Sequence, residues 1–263
     1  MHREPESIDP HDRASANLFV RTEHLGRYLW AVQLTGKRRL TRVLDCACGT
    51  GYGSRVLARD GRQVLAVDRT PWQGEPEAGV AFRQADLNAG LPFCTDGSVD
   101  AVVCFETLEH VEQETLLLQE FHRVLRPGGT LLLSVPKVGW EPVDEQGRPC
   151  NPYHLRLYEQ KELAVTLAAA GFGVEKWLGQ PTSNVCRANM ESWRRDTGAS
   201  PDMVDGYFAQ TPEAQVFFAR LWAWPTQDTP EHSNVLLAVC RRGRIHPPKK
   251  EANHGISALD LGF

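Results

Sequence analysis

No stretch of this 263-residue chain is apolar for long enough to cross a bilayer, which takes about 20 residues. Its apolar runs, such as AVVCF and VLLAVC, stop at five or six residues. The N-terminal stretch MHREPESIDPHDR also lacks the apolar segment that leads a secreted chain, so the sequence predicts a soluble, cytoplasmic protein with no membrane partner. Seven cysteines are present, but the number is odd and no C-x-x-C pair occurs. That excludes a disulfide framework or a zinc ribbon and leaves Cys46, Cys94, Cys104 and Cys240 as small hydrophobes in or beside apolar runs. There is no basic excess either: 29 Lys and Arg stand against 33 Asp and Glu, a net charge of −4, which argues against nucleic acid as the main partner. Hydrophobic residues at 41% and charged residues at 24% allow a sizeable core, in one large domain or one domain with an insertion.

What is present is an alternation. The first dozen residues, charged and Pro-containing, predict a mobile lead. Leu18, Leu25, Leu29 and Val32 recur near helical spacing, predicting one or two amphipathic helices over 14–34. Then come RVLDC as a strand, a glycine-rich turn and the helix SRVLARD, followed by the strands QVLAVD, VAFRQAD and VDAVVCF. A helix over about 112–125 closed by RPGG, the strand TLLLSVP, a loop at 142–152, a helix near 159–170 and the strand FGVEKWL complete the run. Strands alternating with helices at this pitch predict an α/β fold, a mostly parallel sheet with helices on both faces. Residues 180–232 break the rhythm with Trp193, Tyr207, Phe208, Phe217, Phe218, Trp222 and Trp224. SNVLLAVCRR then reads as a last strand. We divide the chain into an N-terminal helical cover (1–39), a main domain (40–240) carrying an insertion (180–232), and a tail (241–263).

Two stretches carry chemistry. In VLDCACGTGYGS, Gly49, Gly51 and Gly53 follow a strand and precede a helix, where glycines let a ligand approach the backbone. A tight turn without ligand would look the same, but Asp45, Asp68 and Asp86 end three successive strands, facing the crevice where open α/β sheets bind ligands. A ligand with a ribose, an exocyclic amine and an amino or cationic portion suits them. The second stretch is FETLEHV: Glu106, Glu109 and His110 fall three and four apart, one face if the turn is helical. Helix-start chemistry, a general base or a metal site would each place such residues there.

In order and spacing, VLDCACGTGYGS, LAVD, QADLNAGLPF, FETLEHV and FHRVLRPGGTLLLSVP resemble the class I S-adenosylmethionine-dependent methyltransferases over residues 40–178. The resemblance implies a Rossmann-like seven-stranded sheet with only the last, inserted strand antiparallel. It implies S-adenosylmethionine held by Asp45 and the backbone of Ala47, Cys48, Gly49 and Gly51 at its amino acid end. Asp68 with Arg69 would serve the ribose side, Asp86 with Leu87 the adenine, and Phe105 with Glu106 the methionine side. EHLGRYLWA (23–31) resembles a helix that closes over the cofactor, which nominates Arg27 and Tyr28. The E-x-x-E-H pattern is similar to that of the ubiquinone-pathway and small-RNA 2′-O-methyltransferases. There it implies a divalent cation (Mg²⁺, Mn²⁺ or Zn²⁺) on Glu106, Glu109, His110 and a downstream histidine, here His154. Without a metal, His110 or His154 would be the base. The resemblance favours a small-molecule acceptor, a natural-product or sugar hydroxyl. An RNA acceptor, kept alive by RRLTR and CRRGRIHPPKK, and a non-catalytic cofactor-binding protein stand as alternatives. A G-x-G-x-x-G hydride-transfer enzyme fits less well. The aromatics of 180–232 would line the acceptor, form a satellite core or join two copies of the chain.

Overall fold

The computed structural model describes residues 8–10, 12, 18–180, 188, 191–192, 194–227 and 233–243. Five apolar runs become parallel strands: β1 (Arg42–Cys46), β2 (Gln63–Asp68), β3 (Val80–Gln84), β4 (Val99–Phe105) and β5 (Leu125–Pro136). β6 (Phe172–Leu178) and β7 (Val235–Arg242) complete a seven-stranded sheet of order β3-β2-β1-β4-β5-β7-β6. β7 runs antiparallel to both β5 and β6, and the remaining pairs are parallel. The single reversed strand and the mostly parallel sheet are as the sequence predicts. β7 includes Arg241 and Arg242, two residues past the boundary set for the tail; residues 244–263 lie outside the described residues.

The sheet is covered on both faces, which is why β4 is buried along its whole length. Alternation along β4 splits its side chains between two cores. Val102 and Cys104 join Leu117, Leu118 and Phe121 of α3 (Glu114–Val124), and Leu163 and Leu167 of α4 (Gln160–Ala169), on one face. Ala101, Val103 and Phe105 join Leu25, Tyr28 and Leu29 of α1 (Leu18–Lys37), and Val56 and Leu57 of α2 (Tyr52–Leu57), on the other. RPGG does not close a helix: α3 ends at Val124 and Leu125 is already extended, so Arg126–Gly129 lie inside β5. The residue before a proline is pushed out of the helical region, and the shift in pairing between Val99 and Ala101 absorbs the irregularity.

The insertion forms α5 (Pro201–Gln210) and α6 (Pro212–Trp222). Ser200 caps α5, its side chain accepting from the Met203 NH at 3.2 Å, with Pro201 in the first turn. Val204 and Phe208 pack on Leu18 of α1, with Phe218 and Trp222 against them, making a satellite core. Tyr207 and Phe217 stay exposed, and Trp193 lies outside the described residues. The N-terminal lead is held at the residues described. The Pro10 carbonyl accepts from two fully buried donors, Arg21 Nη1 at 3.1 Å and Gln215 Nε2 at 2.5 Å, and Thr50 Oγ1 donates to Asp9 Oδ2 at 2.8 Å. A carbonyl fixed by two buried donors is not a mobile one, which corrects the expectation for residues 8–10 and 12. Among the described residues no helix is long and apolar enough to cross a membrane.

Candidate active site

Strand order turns between β1 and β4, and the carboxyl ends of these strands border the crevice in which such sheets hold ligands. A cleft of about 680 Å³ opens there. Of the residues assigned to a cofactor from sequence, Tyr28, Ala47, Cys48, Gly49, Asp68, Arg69, Asp86, Leu87 and Phe105 line it. No described residue of 180–232 does so.

The glycine-rich turn works differently from a plain ligand cradle. Ala47, Gly49 and Gly51 all take positive φ (56°, 55° and 80°). Added carbon at Gly51 would fall 2.1 Å from the Trp72 ring, and at Gly53 2.2 Å from the Tyr28 ring. These two glycines make room for the protein's own aromatics, and only the Gly49 segment faces the cleft. Gly53 thereby lets α1 settle on the turn. Tyr28 meets Tyr52 and Phe105 edge-on, each at 5.2 Å, and its hydroxyl donates to Asp45 Oδ1 at 3.0 Å.

Asp45 is fully buried and does not reach the cleft wall. Its second oxygen accepts from Ser54 Oγ at 2.6 Å. Burial pushes its carboxyl up to about 7, against the opposing pull of those two hydroxyls. Asp68 accepts from the Gly49 NH and the Thr70 NH, both at 2.8 Å, so its carboxylate is held facing the cleft by the turn it serves. Asp86 accepts from the Asn88 NH at 2.9 Å and stands exposed beside the buried Leu87.

FETLEHV is not one helical face. Glu106 sits at φ 47°, outside the short 3₁₀ turn Leu108–His110. Its carboxylate turns to Ser134 Oγ, which donates at 2.7 Å, and lies 3.9 Å from the buried Arg27 guanidinium. Arg27 also donates to Gln180 Oε1 at 2.8 Å, while Gln180 Nε2 donates to the carbonyls of Glu23 and Ala223. This ties α1 to the end of β6. Burial pushes the Glu23 carboxyl up to about 7, with Arg27 opposing. Helix-start chemistry is served from elsewhere: Asn88 Oδ1 accepts from the Glu112 and Gln113 NH groups ahead of α3, at 2.9 and 3.1 Å.

Glu109, His110 and His154 do come together, one ligand atom from each lying within 4.8 Å of the others; Glu106 is not among them. Glu109 is fully buried and neither oxygen has a hydrogen-bond partner, so burial, with Glu106 nearby, holds its carboxyl well above the usual range. His110 Nδ1 meets the Tyr153 carbonyl at 2.8 Å, leaving Nε2 at 3.8 Å from Glu109 Oε1. His154 stacks on His110 at 5.0 Å between centroids. Its Nδ1 lies 2.7 Å from Glu141 Oε2, outside hydrogen-bond geometry. His110 lines the cleft; Glu109 and His154 lie behind it.

Sequence reasoning missed His24, which lines the same cleft, as well as Ser54, Ser134, Gln180 and Glu141. Only His24 had a signal within reach, one helical turn before Tyr28.

The sheet order and the cleft at its carboxyl ends make a Rossmann-like fold of the kind found among methyltransferases. Residues 44–133 match the methyltransferase domain family. A Mycolicibacterium smegmatis protein described as a probable S-adenosylmethionine-dependent methyltransferase is 37% identical over 147 residues, 52% of this chain and 54% of that protein. A ubiquinone biosynthesis O-methyltransferase of Xanthomonas campestris is 40% identical over 104 residues, 35% of this chain and 42% of that one. The chain spans about half the length of the curated relatives it matches. Among solved structures, the Burkholderia thailandensis 1,6-didemethyltoxoflavin-N1-methyltransferase superposes with a TM-score of 0.51 at 17% identity. The match covers 92% of this chain and 94% of that one, a likeness of fold alone.

Proposed function

We propose that the protein transfers a methyl group from S-adenosylmethionine to a hydroxyl of a small molecule, of natural-product or sugar type. One observation carries this reading: a single cleft joins Asp68 and Asp86, placed for a ribose and an adenine, to Glu106 and His110 at the end of β4. The bound cofactor supplies a sulfonium methyl that is already electrophilic, so the protein's share is orientation and the removal of a proton. Asp68, preset by two backbone NH groups, would accept from ribose hydroxyls; Asp86 and Leu87 would hold the adenine; Tyr28 would cover the site from α1. Oxygen as the receiving atom is supported by the ubiquinone-pathway relative, itself an O-methyltransferase.

A divalent cation fits the residues behind the cleft, on the strength of Glu109's two buried oxygens without partners and the two imidazoles beside them. Glu109, His110 and His154 would hold it, and mixed N/O ligands suit Mn²⁺ or Zn²⁺. Such an ion lowers the pKa of a hydroxyl it binds. Among the described arginines of RRLTR and CRRGR, Arg38 and Arg241 pair with Glu175 and Arg42 with Asp100, which weakens the case for an RNA acceptor.

Calorimetry tests this. Metal-stripped protein is titrated with S-adenosylhomocysteine, then with Mg²⁺, Mn²⁺ or Zn²⁺ restored, with metal analysis of untreated protein alongside. The expected result is cofactor binding, with one cation per chain that is lost in Glu109→Gln. Cofactor binding with no cation removes the metal from the reading. No cofactor binding removes the reading itself.

A further inference from the structure

We infer that His24 is the proton acceptor of the cleft, the side chain that takes the proton from the acceptor's nucleophilic atom; this rests on the methyl-transfer reading above. Helix α1 runs along the strands from their carboxyl ends toward their starts. Near its end Arg38 reaches Thr130, which pairs with Ala101 early in β4, and Glu175 in β6. Tyr28 lies at the other end, against Asp45 at the end of β1 and Phe105 at the end of β4. His24 is one turn earlier on the same face, so it projects about 6 Å further, past the strand ends. There it lines the same cleft as Glu106, Thr107 and His110.

Each of the other three described imidazoles has one ring nitrogen bonded or paired within the fold. His110 is bonded to the Tyr153 carbonyl and faces Glu109; His154 lies behind the wall against Glu141; His122 is bonded to the Gly243 carbonyl. His24 alone among these four has no hydrogen-bond partner for either ring nitrogen within the described residues. The charged groups at this end of the cleft are Glu23 and Arg27 on α1, Glu106 and His110 after β4, and Asp9 and Asp12 at the mouth. Burial, with the Arg27 cation three residues on, keeps the imidazole well below its usual range and therefore neutral. A neutral, unpartnered imidazole is the form a base must have.

The step balances. The acceptor's O–H bond breaks and its proton passes to a His24 ring nitrogen, giving an imidazolium. The oxygen lone pair forms the bond to the methyl carbon, and the carbon–sulfur bond breaks with its electrons going to sulfur, leaving a neutral thioether. Bulk water then takes the proton from the imidazolium through the open cleft.

Two readouts test the assignment. The first needs no acceptor: imidazole NMR signals are followed against pH in the S-adenosylhomocysteine complex, with His24 identified by its absence in His24→Gln. We expect a midpoint below about 6.5, the ordinary histidine value, and binding of S-adenosylhomocysteine by His24→Gln within threefold of the parent chain. A midpoint at or above that value, or a tenfold loss of binding in the variant, overturns the inference. The second follows labelled methyl transfer from S-adenosylmethionine to catechol, 4-hydroxybenzoate and methyl glucoside. For any of these that the parent chain methylates, His24→Gln should lower kcat by about 100-fold or more, the usual share of a general base. An unchanged kcat overturns the inference while leaving methyl transfer standing. If none is methylated, the NMR result decides. Failure of the parent chain to bind S-adenosylhomocysteine at all removes the underlying reading instead.

Discussion

The two ends of the cleft treat their buried carboxylates in opposite ways. At the glycine-rich turn the acids are matched internally: Asp45 holds two hydroxyls and Asp68 two backbone NH groups, while Gly51 and Gly53 admit the chain's own rings. At the end of β4, groups of equal polarity are left over. Glu109 has two unmatched buried oxygens and Arg27 has an unmatched buried Nε. Buried polar atoms without partners cost about 1–3 kcal/mol each, and a buried carboxylate with neither oxygen matched is found only at this second end among the described residues of the cleft region. The first end is a mould whose carboxylates are matched within the fold. The second awaits its partners.

That contrast can be broken at either end. The largest effect should come from Gly53→Ala. Tyr28 cannot give way to a new methyl cheaply, because Asp45 holds its hydroxyl and two rings flank it. Overpacking of this kind costs roughly 1–3 kcal/mol, and we expect S-adenosylhomocysteine affinity to fall at least tenfold as α1 lifts. Denaturant unfolding with calorimetry reads both; wild-type stability and affinity would show that the turn is not a mould.

Glu109→Met should do the reverse for stability. It removes two buried unmatched oxygens and fills their space, so the metal-free protein should gain about 1 kcal/mol while losing any bound cation. A loss of stability in the metal-free variant would mean that Glu109 is matched in solution.

The last effect is one of pH. The Glu23 carboxyl, buried on α1, is pushed up to about 7, so the folded chain keeps a proton that the unfolded chain releases near pH 4.3. Stability from this group is therefore full below about pH 4.3 and is lost as pH rises through about 7. Glu23→Gln should flatten the fall in unfolding midpoint between pH 5 and pH 7.5, and an unchanged slope would remove Glu23 from the account.

The sheet was legible because its causes are local. VDAVVCF is β4, since a strand covered on both faces needs a largely apolar run, and FGVEKWL is β6 to the residue, an edge strand with Glu175 and Lys176 exposed. The glycine-rich turn and the acids ending β1 and β2 were visible for the same reason, although Asp45 turned inward. What could not be read depends on distant contacts. The position of Glu106 is set by Ser134, 28 residues on, and its left-handed backbone breaks the helical spacing that its sequence suggests. Glu141 reaches His154 only because a loop folds back, and Arg126–Gly129 enter β5 because Val99 is there to pair with Leu125. His24 was within reach of its spacing to Tyr28, but whether that face met solvent or a cleft depended on how α1 lies across the strand ends.

β7 separates β5 from β6, yet it is made last, more than 50 residues after β6 ends. On the ribosome, then, the nascent sheet has its edge at β5 while β6, already synthesised, has no strand of the sheet to join. Both wait with open backbone until residues 235–242 emerge and slide between them. An open edge is a template for pairing with other chains. Synthesis that stalls ahead of Val235 should therefore yield a product prone to aggregate, even though every residue named here in the cleft has by then been made.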